Sequence, residues 1–143
     1  METTNSIINR TLYTLLDPQD SVLCFMRSVI ANRLADNGKD WTEFFAMYNS
    51  GTYNNQWMVV DTKKFVTGQE VGPDTLWIIE QIPGYTQAGD VSSVLSQKQY
   101  WPSYNVPYFA EVYTRSGYNG TSRMLLDKVD VDAHSTALNG HGF

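Results

Sequence analysis

Three kinds of side chain in this sequence could do chemistry, and each sits in a context that limits what it can do. Asn105 lies between Pro102 and Pro107, in a segment dense with Trp101, Tyr104, Tyr108 and Phe109. An asparagine amide held rigidly there can donate to a carbonyl oxygen that gains negative charge, because a fixed N–H need not reorganise as the charge develops. The same residue type at the same place also suits a plain turn, so the residue alone leaves both readings open. Glu80 is the lone carboxylate in the apolar run Leu76–Ile82, so it is either a buried acid or a group turned out at a sheet edge. Cys24 is the one cysteine; the pattern places it mid-helix between Leu23 and Phe25, where an apolar setting favours an inert thiol over a thiolate.

Other groupings carry less chemistry. Asp127, Asp130, Asp132 and His134 lack the glycine and terminal glutamate of a calcium-binding loop and read as a solvated acidic tail, with His141 beyond it. There is no Gly-x-Ser-x-Gly elbow, no glycine-rich phosphate loop and no His-Glu-x-x-His, and no cofactor or metal is expected. The stretch from Asn49 to Asp61 concentrates Asn49, Asn54, Asn55 and Gln56 beside Tyr53 and Trp57. Amides donate and accept at once, so this stretch fits a tight junction feeding a strand, with Asn54 or Asn55 near a site.

Several elements must position these groups. Ser21 to Asp36 has apolar residues at Val22, Phe25, Met26, Val29, Ile30 and Leu34, a spacing that predicts a helix with this stripe packed inward. Asp20 or Ser21 is expected to cap its start and Asn37-Gly38 to stop it. A second short helix follows, with Asp40 and Glu43 spaced as a capping box before Phe44, Phe45 and Met47. Gln56 to Asp61 and Thr75 to Ile82 read as strands, with Lys63 to Val66 continuing the first or pairing with it after a bend. Pro83-Gly84 ends the second strand, 90–97 and 110–116 read as short helices, and 100–109 as an extended ordered segment. Helices packed on strands in this order predict an α+β or α/β layer.

Composition bounds the rest. A chain of 143 residues with 42% hydrophobic and 13% aromatic residues can build one core. A net charge of −5 with no Lys/Arg cluster argues against nucleic acid as a partner, and against an anionic membrane surface held by charge. No apolar run approaches the roughly 20 residues of a transmembrane helix, and the first residues lack the basic and apolar regions of a signal peptide. One cysteine excludes an internal disulfide. Asn9-Arg10-Thr11 and Asn119-Gly120-Thr121 are glycosylation sequons, which predict modification at Asn9 and Asn119 in a secretory setting.

Five strings taken together resemble one family. Glu2-Thr3-Thr4-Asn5, 30–35, Asn49 to Asp61, Glu80-Gln81-Ile82-Pro83-Gly84 and 100–109 are similar, in order, to the phospholipase B-like (lamina ancestor-like) proteins. The resemblance covers residues 2 to about 118 and departs after Tyr118, so 1–118 is expected to form part of a phospholipase B-like domain and 119–143 a divergent, poorly ordered tail. It implies an N-terminal-nucleophile hydrolase fold, a four-layer αββα sandwich of helices on antiparallel sheet, of which this chain would hold an incomplete part. It implies a secreted or lysosomal glycoprotein that deacylates glycerophospholipids, using a cysteine exposed by self-cleavage. That cysteine would lie upstream of the matched part, so the chain is expected to be an inactive fragment, and its partners a phospholipid or other acyl substrate and the remainder of the parent chain. By position, Asn105 matches the oxyanion-stabilising asparagine and Thr4 a polar pocket residue; Arg123 lies near an expected arginine without aligning to it. An amidase of the same fold, or a non-catalytic truncated paralogue acting as a binding remnant, are the alternatives.

Overall fold

The computed structural model describes residues 1–118. Its centre is a four-stranded antiparallel sheet in the order β1-β2-β3-β4, formed by β1 (Glu2–Thr4), β2 (Asn55–Val60), β3 (Leu76–Ile82) and β4 (Tyr85–Asp90). The strands β2 and β3 pair from Gln56↔Glu80 to Val60↔Leu76, and the Pro83-Gly84 turn folds β4 directly back on β3. Between β1 and β2 run a 3-10 helix (Arg10–Leu15), α1 (Cys24–Leu34) and α2 (Gly38–Ala46); after β4 come α3 (Ser92–Lys98) and α4 (Ala110–Arg115). The architecture is α+β, as expected.

Because side chains alternate along a strand, β3 serves two cores. On one face Ile79 joins Cys24, Ala31, Trp41 and Phe45 beneath α1 and α2, with Trp57 and Val59 of β2 alongside. Trp41 stacks on Phe45 at 4.9 Å, and Phe45 meets Trp57 at the same separation. On the other face Leu76 and Ile78 pack with Val91, Met58, Leu95, Trp101 and Phe109. Strand β3 is thus buried on both faces, which accounts for its nearly unbroken apolar run.

Helix α1 departs from expectation in three ways. It starts at Cys24 rather than Ser21, its N-cap is Leu23, and neither Asp20 nor Ser21 caps it with a side chain. Asp17 instead accepts from Gln19 and Asp20 N–H in the preceding turn, which uses the polar residues before the helix begins. Cys24 is therefore the first helical residue, not a mid-helix one. The face turned inward carries Cys24, Arg27 and Ala31, while the apolar stripe points out, with Phe25 66% and Leu34 59% exposed. The periodicity predicted the helix correctly, but the inward face was chosen by hydrogen bonding. Arg27 donates through Nε to Val22 O (2.8 Å), through its terminal nitrogens to Phe45 O and Gln81 Oε1, and to Ser50 Oγ at 3.4 Å. Phe45 O belongs to the last turn of α2, whose carbonyls lack helical partners, so one guanidinium joins α1, α2 and β3.

Asn37-Gly38 begins a helix rather than ending one. Asn37 Oδ1 accepts from Asp40 N–H at 2.9 Å while Asn37 Nδ2 donates to Asp40 Oδ2, so the reciprocal cap pairs Asn37 with Asp40 instead of Asp40 with Glu43. Glu43 faces solvent 3.8 Å from Lys39. Thr62–Lys64 is a 3-10 turn held by Asp61 Oδ1, not a strand continuation. Strand β4 is the element the pattern missed, since Tyr85-Thr86-Gln87-Ala88-Gly89-Asp90 has almost no apolar signal and is half-buried or exposed. The tail predicted for 119–143 lies outside the described residues.

The uneven burial yields a mutational contrast. Truncating Phe45, fully buried between Trp41, Trp57 and Arg27, is expected to cost about 3–5 kcal/mol, whereas Phe25→Ala in the exposed stripe should stay within about 0.5 kcal/mol. Denaturant unfolding of both variants checks this, and equal losses would mean that the stripe is packed.

Candidate active site

Strand β1 is three residues long and forms one edge of the sheet, and its backbone sets where groups can gather. Met1 and Met58 exchange both backbone hydrogen bonds, and Asn5 N–H donates to Asn54 O. In an antiparallel pair the alternate residues face away from the partner, so the peptide groups of Glu2 and Thr4 point to the free edge. Asn105 meets β1 there. Its Nδ2 donates to Thr4 O at 2.8 Å and its own carbonyl accepts from Ser6 N–H at 3.1 Å. Thr4 and Asn105, 101 residues apart in sequence, are thus in direct contact. Tyr118 Oη also donates to Asn105 O, at 3.4 Å.

The amide of Asn105 retains capacity. Among the described residues its second N–H and its Oδ1 make no hydrogen bond, and the side chain is exposed at the edge. Asn55 is the cross-strand partner of Thr4, fully buried, and neither atom of its amide finds a protein partner. Asn5, the next residue along β1, is buried with an unpartnered amide as well. Buried amides of this kind are uncommon, and Asn5 and Asn55 lie beside the contact between Thr4 and the exposed Asn105. Asn55 was one of the two amides singled out in sequence; Asn54 instead closes the junction, donating to Gly51 O at 2.8 Å.

The rest of that junction is structural. Asn49 accepts from Gly51 N–H and donates to Ile82 O, both at 2.8 Å, which ties the loop to the end of β3. Gly51 has φ +63°, and a Cβ there would fall 2.8 Å from Pro83 Cα, so only glycine fits.

Glu80 is wholly buried rather than turned out at an edge. Oε1 accepts from Tyr108 N–H at 2.7 Å and from Gln56 Nε2 at 2.8 Å, and Oε2 accepts from Phe109 N–H at 3.0 Å. Gln56 Oε1 in turn accepts from Trp101 Nε1 at 2.9 Å. Burial pushes the Glu80 carboxyl above its ordinary value of 4.5, and the hydrogen bonds from Tyr108, Phe109 and Gln56 pull part of the way back. Asn5 lies near the carboxyl, but its amide completes no hydrogen bond to it.

The surroundings of Cys24 disfavour a thiolate. Burial raises its thiol pKa against the opposing charge of Arg27, and Sγ lies 3.9 Å from Tyr53 O. Cys24 itself lines a mostly apolar cavity of about 360 Å³, together with Leu23, Phe25, Ser28, Thr52, Tyr53 and Trp57. No cluster of three or more His, Cys, Asp or Glu that could hold a metal occurs among the described residues, and no helix there is long and apolar enough to cross a membrane. Asn9 caps the 3-10 helix: Oδ1 accepts from Thr11 N–H and Oγ1, while Nδ2, the atom a glycan would occupy, donates to Arg115 O at 3.3 Å. Asn119, Arg123, Asp127, Asp130, Asp132, His134 and His141 lie outside the described residues.

The edge can therefore donate hydrogen bonds to an oxygen, and no activated nucleophile or base is hydrogen-bonded to Thr4 or Asn105 among the described residues. Comparison with known proteins gives this geometry a context. A family model for phospholipase B matches residues 1–137. Phospholipase B-like protein B of Dictyostelium discoideum is 51% identical over 94% of this chain, and phospholipase B-like protein F of the same organism 46% over 92%. Human phospholipase B-like 1 is 44% identical over 92%. In each case the match spans 23% of the relative's own length.

Glu80 supplies a pH test. Its folded-state pKa is raised, so between 4.5 and that raised value the unfolded chain has released a proton that the folded chain retains. The stability that wild type holds relative to Glu80→Gln should be greatest below pH 4.5 and decline as pH rises through that window. Chemical denaturation of both proteins at a series of pH values measures the difference; a difference that grows with pH would contradict the sign.

Proposed function

The chain belongs to the phospholipase B family, and on that premise we propose that it forms one wall of the active site of a hydrolase that deacylates glycerophospholipids. The observation that carries this reading is the contact between Asn105 and Thr4 at the free edge of β1. One N–H of the Asn105 amide is spent on Thr4 O, which fixes the plane of the amide, and the other remains to meet a substrate oxygen. Attack of a nucleophile on an acyl carbonyl moves charge onto that oxygen, and a donor whose orientation is already set stabilises the charge without rearranging. Thr4 holds the donor through its backbone carbonyl. Asn55, directly across from Thr4, adds a buried amide behind them.

The nucleophile comes, in this reading, from the rest of the family fold, as the cysteine of an N-terminal-nucleophile hydrolase. The coverage of the relatives and the inert setting of Cys24 both support that division. A secreted or lysosomal setting accompanies the reading by family resemblance.

In a full-length family protein carrying this segment, Asn105→Ala should lower kcat on phosphatidylcholine by about 10²–10³-fold, the loss typical of a missing oxyanion donor. An unchanged rate would remove Asn105 from the mechanism. Faster turnover of an acyl amide than of the matching ester would shift the reading to an amidase. The 143-residue chain alone should release no fatty acid above blank.

A further inference from the structure

Asn105 sits in the segment from Trp101 to Tyr108, which has no ladder hydrogen bonds of its own. Bonds at its two ends hold it against the sheet, and both lead to one group. At the C-terminal end Glu80 accepts from consecutive backbone N–H groups, Tyr108 with one oxygen and Phe109 with the other. At the N-terminal end the link passes through Gln56, the cross-strand partner of Glu80. Because Gln56 gives its Nε2 to Glu80, its Oε1 must face the other way, where it accepts from the Trp101 indole. A carboxylate is the group that suits this position. It offers two oxygens and no donor, and all three groups directed at it are donors. The neighbours on the same strand face, Ile78 and Ile82, are fully buried hydrophobics, and an apolar residue in place of Glu80 would strand two backbone N–H groups and an amide away from water.

We propose that Glu80 is a positioning residue for Asn105: its carboxylate holds both ends of the segment that presents the Asn105 amide at the β1 edge. The proposal rests on the role assigned to Asn105 for its functional meaning, but the clamp is physically independent of that role. Aromatic contacts within the segment, Trp101 on Tyr108 at 4.8 Å and Tyr108 on Phe109 at 5.4 Å, transmit the constraint between the two ends. Asn105 then settles in one orientation through its bonds to Thr4 and Ser6, with Tyr118 Oη donating to its carbonyl as well.

Hydrogen exchange followed by NMR on the 143-residue chain tests the clamp. Glu80→Gln keeps the shape but turns one acceptor into a donor. Exchange at Tyr108 N–H, Phe109 N–H and the Asn105 side-chain amide should accelerate by roughly tenfold to a hundredfold, the range for a lost bond to a charged acceptor. The β2–β3 amides around the Trp57–Ile79 pair should stay protected. If those amides also lose protection, Gln56→Leu replaces it as the probe. That change removes the Trp101 link and the Gln56 donor to Glu80 but leaves Glu80 its two backbone N–H donors, so it should accelerate exchange at the Trp101 indole and the Asn105 amide while leaving Tyr108 and Phe109 protected. An Asn105 amide whose exchange is unmoved in the variant that retains the sheet would overturn the proposal.

A double-mutant comparison in the full-length protein separates the clamp from the catalytic reading. Glu80→Gln should lower kcat with little change in KM, and combined with Asn105→Ala it should add almost nothing to the loss from Asn105→Ala alone. Full additivity would mean that Glu80 acts elsewhere and would sink the positioning role. No effect from Asn105→Ala itself would remove the catalytic reading, and the exchange data would still decide the clamp.

Discussion

Two consecutive polar residues near the C-terminal end of β3, Glu80 and Gln81, tie separate segments to the two faces of the sheet. Both are fully buried, and strand alternation sends one to each face of the sheet. Glu80 gathers donors: two backbone amides and the Gln56 side chain. Gln81 accepts from Arg27 and donates to Thr52 O at 2.9 Å. One residue therefore fastens the aromatic segment to one face and the other fastens α1 and the Asn49–Asn55 junction to the opposite face. Burying such groups is unfavourable unless their hydrogen bonds are made, so the loops that make them are held to the sheet.

That constraint explains the orientation of α1. A helix whose apolar stripe packed on the sheet would have carried Arg27 outward, leaving Phe45 O, Val22 O and Gln81 without the donor that now serves all three. The guanidinium also lies 4.5 Å above the Phe45 ring, so it packs as well as bonds. Burial works against the charge and lowers the Arg27 pKa. The consequence is an outer helix face of Leu23, Phe25, Met26, Val29, Ile30 and Leu34 that no described residue covers.

The candidate site inherits its geometry from the same arrangement. Strand β1 is too short to define a surface alone. The register with β2 turns Thr4 C=O to the free edge, and the anchored aromatic segment brings Asn105 to it. One half of the contact is placed by the pairing of β1 with β2, and the other by the bonds from the segment to Glu80 of β3. The polar residues there fall on strands and a braced loop, which gives the edge a fixed shape.

The sequence by itself determined the existence and type of the elements with strong apolar periodicity: α1, α2, β2, β3 and the short helices α3 and α4. It also singled out Asn105 and Thr4, through resemblance to a family that the whole-chain comparisons bear out. It misjudged the caps around α1 and α2, because Asn37 and Asp40 could serve either helix and only packing chooses between them. It missed β4, whose residues Thr86 to Asp90 have little apolar pattern and are held in the sheet by their backbone pairing with β3. The inward face of α1, the burial of Glu80 and the meeting of Asn105 with Thr4 were decided only in the tertiary structure. Each depends on at least one hydrogen-bond partner 18 or more residues away, and local periodicity contains no record of it.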